Sequence, residues 1–108
     1  MKKITVKGFT DGGNWYKGNL HSHTVNSDGM LTPEESVELF KKHGYHFLCF
    51  SEHDLYTDYR DQFNSEEFIT LPGLEASAVL YMDDGSGRRR KVHHIHGILG
   101  TEEMQKKA

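Results

Sequence analysis

The chain has one cysteine, two prolines and one tryptophan among 108 residues, no long hydrophobic run and no surplus of positive charge. A single thiol excludes an internal disulfide, and Cys49, inside the apolar run "HFLCFSE", reads as a buried, inert side chain rather than a reactive one. No apolar stretch approaches the roughly 20 residues of a membrane span. The N-terminal "MKKITVKGF" begins with paired lysines but no apolar signal-peptide core follows, so a cytoplasmic protein is expected. The net charge of −3, with histidines neutral, removes the global signature of a nucleic-acid or anionic-membrane partner. Repeats, low-complexity tracts and inter-domain linkers are also missing, so one soluble domain is the upper bound. Against these absences stand eight histidines.

The hydrophobic pattern places them. "KKITVKGF" alternates like an edge strand, and "WYKGNLHSH" alternates again after a "DGGN" turn. Trp15 and Tyr16 on that second strand read as core or barrel-floor aromatics, because no basic groove accompanies them as a base-stacking platform would require. "LTPEESVELFKKHG" predicts a helix over residues 33–43. Thr32 is its N-cap, Pro33 suits the first helical position, Glu35 completes a capping box and Gly44 is the stop. Val37 and Phe40 form its apolar face, with Leu39 at the border. "YHFLCFS" then reads as a strand buried on both faces, and strand-helix-strand order makes the sheet parallel. "FITLPGLEASAVLYM" holds two more strands broken at Pro72-Gly73, and "KVHHIHGIL" pairs with "EASAVLYM" as a hairpin across the turn "DDGSGRRR".

Side chains two apart on a strand share a face, so His21 and His23 can present two imidazoles to one point. Alone, that spacing also describes an ordinary polar face. The context favours a metal. Asp28 lies in the loop beyond, and "SEHD" puts His53 at the same carboxyl edge, where barrel-type α/β proteins collect their chemistry. Glu75 is a carboxylate in a mainly apolar segment, which calls for a partner or a metal. "VHHIHG" supplies His94, with His96 on the same face and His93 on the other; His94 and His96 can exchange in the assignment. Imidazole and carboxylate together suit zinc, manganese or iron. His43 and His46, flanking the helix stop, are expected to bind no metal.

"NLHSHTVNSDGMLTPEESVELFKKHGYHFLCFSEHD", followed by "PGLE" and "HHIHGIL", resembles the N-terminal half of a PHP domain, of the polymerase and histidinol phosphatase superfamily. The match runs over residues 19 to 99. It implies that His21, His23 and Glu75 hold one metal, that Glu75 bridges to a second held by His94, and that Asp28 and His53 serve a third. Two departures stand out. The family's Thr-Asp-His-Asp is Ser51-Glu52-His53-Asp54 here, with a longer acid before the histidine. The family's later ligands, another histidine and an Asp-x-His pair, have no counterpart, since no histidine follows His96 and no aspartate follows Asp84. The resemblance therefore implies an α/β fold: a partial, distorted (β/α)7 barrel with a mainly parallel sheet and a C-terminal hairpin, one domain over residues 1–108 that is incomplete at its C-terminal side.

The implied activity is that of a metal-dependent hydrolase, a phosphoesterase acting on a small phosphorylated substrate or nucleotide. Clustered divalent ions lower the pKa of a bound water to about 7 and neutralise a phosphoryl group under attack. Ligand imidazoles must be neutral and oriented through their second nitrogen; Asp54 is the candidate for that role beside His53, and Glu52 a weaker one. The basic run Arg88 to Lys91 could grip a phosphate but reads first as a solvated turn. Two rival functions follow from the same residues. One is hydrolysis of carboxylic or carbamic esters. The other is a non-catalytic metal-binding half-domain completed by a missing segment, a partner or a second copy.

Overall fold

A computed structural model of the chain describes residues 3–5 and 12–106. The elements run β1 (Gly18–Asn19), α1 (Pro33–Lys42), β2 (Phe47–Cys49), α2 (Arg60–Phe63), β3 (Ile69–Leu71), β4 (Gly73–Tyr81), β5 (Arg89–Ile98) and α3 (Glu102–Lys106). Strands β1, β2 and β3 form one sheet in that order, parallel throughout, with Gly18 opposite Phe47 and Leu48 opposite Thr70. β4 and β5 form an antiparallel pair in which Glu75 faces His96 and Ser77 faces His94.

α1 is built by local signals. The Thr32 hydroxyl accepts from the Glu35 backbone N–H at 3.2 Å, and Pro33 opens the first turn, where its missing N–H costs nothing. At the far end Gly44 sits at φ +79°, in the left-handed region, while Gly44 N–H donates to Lys41 O and Tyr45 N–H to Phe40 O. This double closure satisfies carbonyls the helix leaves open, and the Phe40 and Tyr45 rings meet edge-on at 4.7 Å over it. Val37 then packs with Leu48, Phe50 and Phe68, flanked by Phe40, Tyr45, Tyr59 and Phe63. Leu48 and Cys49 point to opposite sides of β2 and neither touches solvent, so this strand is covered on both faces. Burial pushes the Cys49 thiol up to about 11, away from thiolate chemistry.

Of three expectations, two are corrected. The predicted first strand "KKITVKGF" lies mostly outside the described residues, and residues 3–5 have no regular secondary structure. The strand expected to carry His21 and His23 ends at Asn19. Beyond it the chain still runs beside β2, with one backbone bond, Ser51 N–H to Ser22 O at 2.9 Å, and side-chain bonds in place of the rest of the ladder: Ser22 N–H donates to Ser51 Oγ at 3.1 Å and the Ser22 hydroxyl to Cys49 O at 2.6 Å. Trp15 and Tyr16 are not core residues, being 79% and 64% exposed. Both precede the short β1, where the Tyr16 ring meets the His46 ring nearly at right angles, 5.4 Å apart, and its hydroxyl accepts from Asn14 Nδ2 at 3.5 Å.

The β4 strand joins the two sheets. Glu75 N–H donates to Glu52 O, and Asp54 N–H to Glu75 O, both at 2.9 Å, so the segment after β2 lies parallel to the start of β4. Glu75 is thus held between that segment and β5.

Candidate metal centre

Glu75 is 3% exposed, and five of the eight histidines surround its carboxylate. His21 Nε2, His23 Nε2 and His53 Nδ1 lie 3.3, 3.0 and 3.6 Å from Oε2. His94 Nδ1 and His96 Nε2 lie 3.3 and 3.4 Å from Oε1. The nitrogens also crowd one another, with His21 Nε2 2.9 Å from His23 Nε2 and the His23 and His53 rings stacked at 4.3 Å. Asp28 reaches in from the following loop, its Oδ2 3.0 Å from His53 Nε2 and its Oδ1 3.9 Å from His23 Nδ1. Three chain segments and the hairpin therefore converge at the carboxyl end of β2.

The donor set fits a cation better than a hydrogen-bond network. Glu75 Oε2 has three ring nitrogens around it, yet neither it nor the buried His23 Nδ1 has a hydrogen-bond partner. Buried polar atoms are nearly always satisfied, so two orphans on neighbouring side chains ask for further partners. A tetrahedral ion with bonds of about 2.1 Å holds its ligands about 3.4 Å apart, which matches the separations around Glu75. Two groups could each hold a metal ion: His21 with Glu75 and His96, and His23 with His53 and Glu75. Burial pushes the Glu75 carboxyl up, but the nearby His21, His96, His94 and His23 outweigh it and keep it below the usual carboxylate range, in the ionised form a metal requires.

All the residues singled out as ligands, His21, His23, Asp28, His53, Glu75, His94 and His96, come together. Their grouping differs from the one the PHP resemblance implies. His21 and His23 fall into different groups, and His53 stands with His23 rather than apart with Asp28. His96, named as the alternative to His94, is in a group, while His94, which approaches the same Oε1, is in neither. The orienting roles given to the acids of "SEHD" are corrected. Asp54 sits at φ +53° and turns its carboxylate to Ser77 N–H at 2.7 Å, so it fastens β4 and reaches no imidazole among the described residues. Glu52 points the other way, to Thr24 and Ser27.

His43 and His46 stay away from the centre, His43 Nδ1 against Leu39 O at 3.1 Å and His46 Nδ1 accepting from Lys17 N–H at 2.9 Å. Arg88 is paired with Asp84 at 2.8 Å at the exposed hairpin tip, about 20 Å along β4 from Glu75 at roughly 3.3 Å per residue. The residues missed from the sequence are Ser22, Thr24 and Ser27, which hold the ligand loops. A signal was available: three hydroxyl residues interleaved with His21, His23 and Asp28 in "HSHTVNSDG".

Among the described residues, no helix is long and apolar enough to cross a membrane. No protein-family model, no curated protein and no solved structure matches this chain.

Proposed function

We propose that this protein is a metal-dependent phosphoesterase of the PHP type, acting in the cytoplasm on a small phosphorylated substrate or nucleotide. The carrying observation is the buried Glu75 carboxylate, shared by two histidine groups and lacking any hydrogen bond at Oε2. Its one carboxylate is suited to bridging two zinc, manganese or iron ions, with His21 and His96 on one side, His23 and His53 on the other, and Asp28 and His94 at the margins. Divalent ions there would supply an acidified water and offset charge on a phosphoryl group. The chain supplies the placement. His21 and His94 have side chains 53% and 45% exposed, which leaves the centre open on their side, while Glu75 and the stacked His23 and His53 close its floor. The barrel that the PHP reading implies is part of this proposal.

The test is a hydrolysis panel on the protein loaded with zinc or manganese, containing phosphate monoesters, phosphate diesters and carboxylic and carbamic esters side by side. Release of phosphate, abolished by a chelator and restored by metal, is the expected result. Metal bound in stoichiometric amounts with every phosphate ester intact would overturn the reading.

One observation favours a second reading, a metal-binding module completed by another copy of the chain. In the β4–β5 hairpin, strand β5 is exposed to solvent throughout residues 89–95. On the hairpin face opposite Glu75, Ile95 and Leu80 are 61% and 52% exposed.

A further inference from the structure

We propose that Glu52 is a positioning residue of the centre, setting the loop over residues 24–28 so that His23 and Asp28 meet His53. The inference rests on the reading of the centre as a metal site. Glu52 is wholly buried, although a carboxylate taken out of water is costly unless its oxygens are well satisfied. The satisfaction comes from one place. Thr24 N–H donates to Oε1 at 2.7 Å, the Ser27 hydroxyl donates to Oε1 at 2.8 Å, and the Thr24 hydroxyl makes a short bond to Oε2. No lysine or arginine pairs with it among the described residues. The whole charge is directed at one mainly polar, turn-forming loop.

Each donor stands next to a ligand. Thr24 follows His23, Ser27 precedes Asp28, and Glu52 itself precedes His53. Through its carbonyl, Glu52 also accepts the Glu75 N–H at 2.9 Å. One residue therefore touches, by side chain or backbone, every segment that supplies the His23 group. The loop is closed to match: Ser27 N–H and Gly29 N–H both donate to Thr24 O, at 3.1 and 2.8 Å. Gly29 lies so close to the returning chain that a Cβ there would stand 2.3 Å from His23 O, so no other residue fits. The acid's length matters as well. Glutamate spans the gap to the loop from a backbone position committed to Glu75, and aspartate is one methylene shorter.

The experiment is a metal titration of wild type, Glu52→Gln and Ser27→Ala by competition with a chromophoric chelator, with the cobalt absorption spectrum of each and circular dichroism of the metal-free proteins. Gln at 52 keeps the shape but replaces one acceptor oxygen with a donor that opposes the loop's own donors. We expect Glu52→Gln to fold, to bind one equivalent at least about tenfold more weakly, and to show an altered cobalt band for it. Ser27→Ala, which deletes one of the three bonds, should weaken the same equivalent roughly threefold. Unchanged affinity and spectrum in a folded Glu52→Gln would make Glu52 a structural carboxylate only. If Glu52→Gln fails to fold, Ser27→Ala decides in the same way. Wild type that takes up no metal overturns the centre and this proposal together, whereas wild type that binds metal and cleaves no ester overturns the proposed activity alone.

Discussion

Glu75 brings a negative charge to a position 3% exposed and meets imidazole edges from His21, His23, His53, His94 and His96 rather than a lysine or arginine. Removing that charge while keeping its shape isolates what the carboxylate does. Glu75→Gln should lower zinc affinity at least about tenfold and reduce the bound equivalents measured by equilibrium dialysis. His46→Ala should change neither, because that ring is bonded to the Lys17 backbone N–H. A loss in His46→Ala with none in Glu75→Gln would mean that metal uptake follows histidine content and not the centre. The types and positions of these ligands are readable from the sequence, since His-x-His, "SDG", "SEHD" and "PGLE" are local patterns. Which imidazole shares which oxygen is not, because it depends on how β4 is set between residues 52–54 and β5.

At the scale of elements, helix α1 is readable nearly to the residue, because its cap, its proline and its terminal glycine act within one turn each. Thr32→Ala removes the hydroxyl that accepts from Glu35 N–H, and should cost about 1 kcal/mol and lower the melting midpoint by roughly 4–8 °C. A thermal melt by circular dichroism checks this; an unchanged midpoint would mean that the packing of Val37 holds the helix without its cap. The hairpin is also readable, through the turn "DDGSG" and the alternation of "EASAVLYM". The short β1 is not. "WYKGNLHSH" alternates like a longer strand, but Ser22 and Ser51 exchange side-chain bonds for ladder bonds, a substitution that periodicity does not register. The same blindness affects Asp54 and Glu52. The acids flanking His53 in "SEHD" both read as its partners, Asp54 ahead of Glu52, and only the left-handed turn at Asp54 sends one to β4 while the other faces the loop.

For the whole molecule, the β4–β5 hairpin decides between the two functional readings. A two-stranded ribbon is marginally stable alone in water, and the one here exposes Ile95 and Leu80 on its outer face. If a second copy covers that face, sedimentation velocity will show a species of twice the chain mass that Ile95→Lys dissociates. A monomer at all concentrations would remove the second reading and leave the phosphoesterase reading to the hydrolysis panel.

The sharing of Glu75 between the His21–His96 and His23–His53 groups has a thermodynamic consequence. Two occupants that lean on one carboxylate are linked, and the free energy of that linkage is reciprocal: whatever the first does to the second's affinity, the second does to the first's. Fixing the carboxylate's rotamer for one ion favours the next, while dividing a single negative charge between two dications opposes it. Under the proposed two-ion reading, the binding curve belongs to the pair. Its steepness, read from wild type and from a variant crippled in one group, reports which of these two opposing contributions prevails.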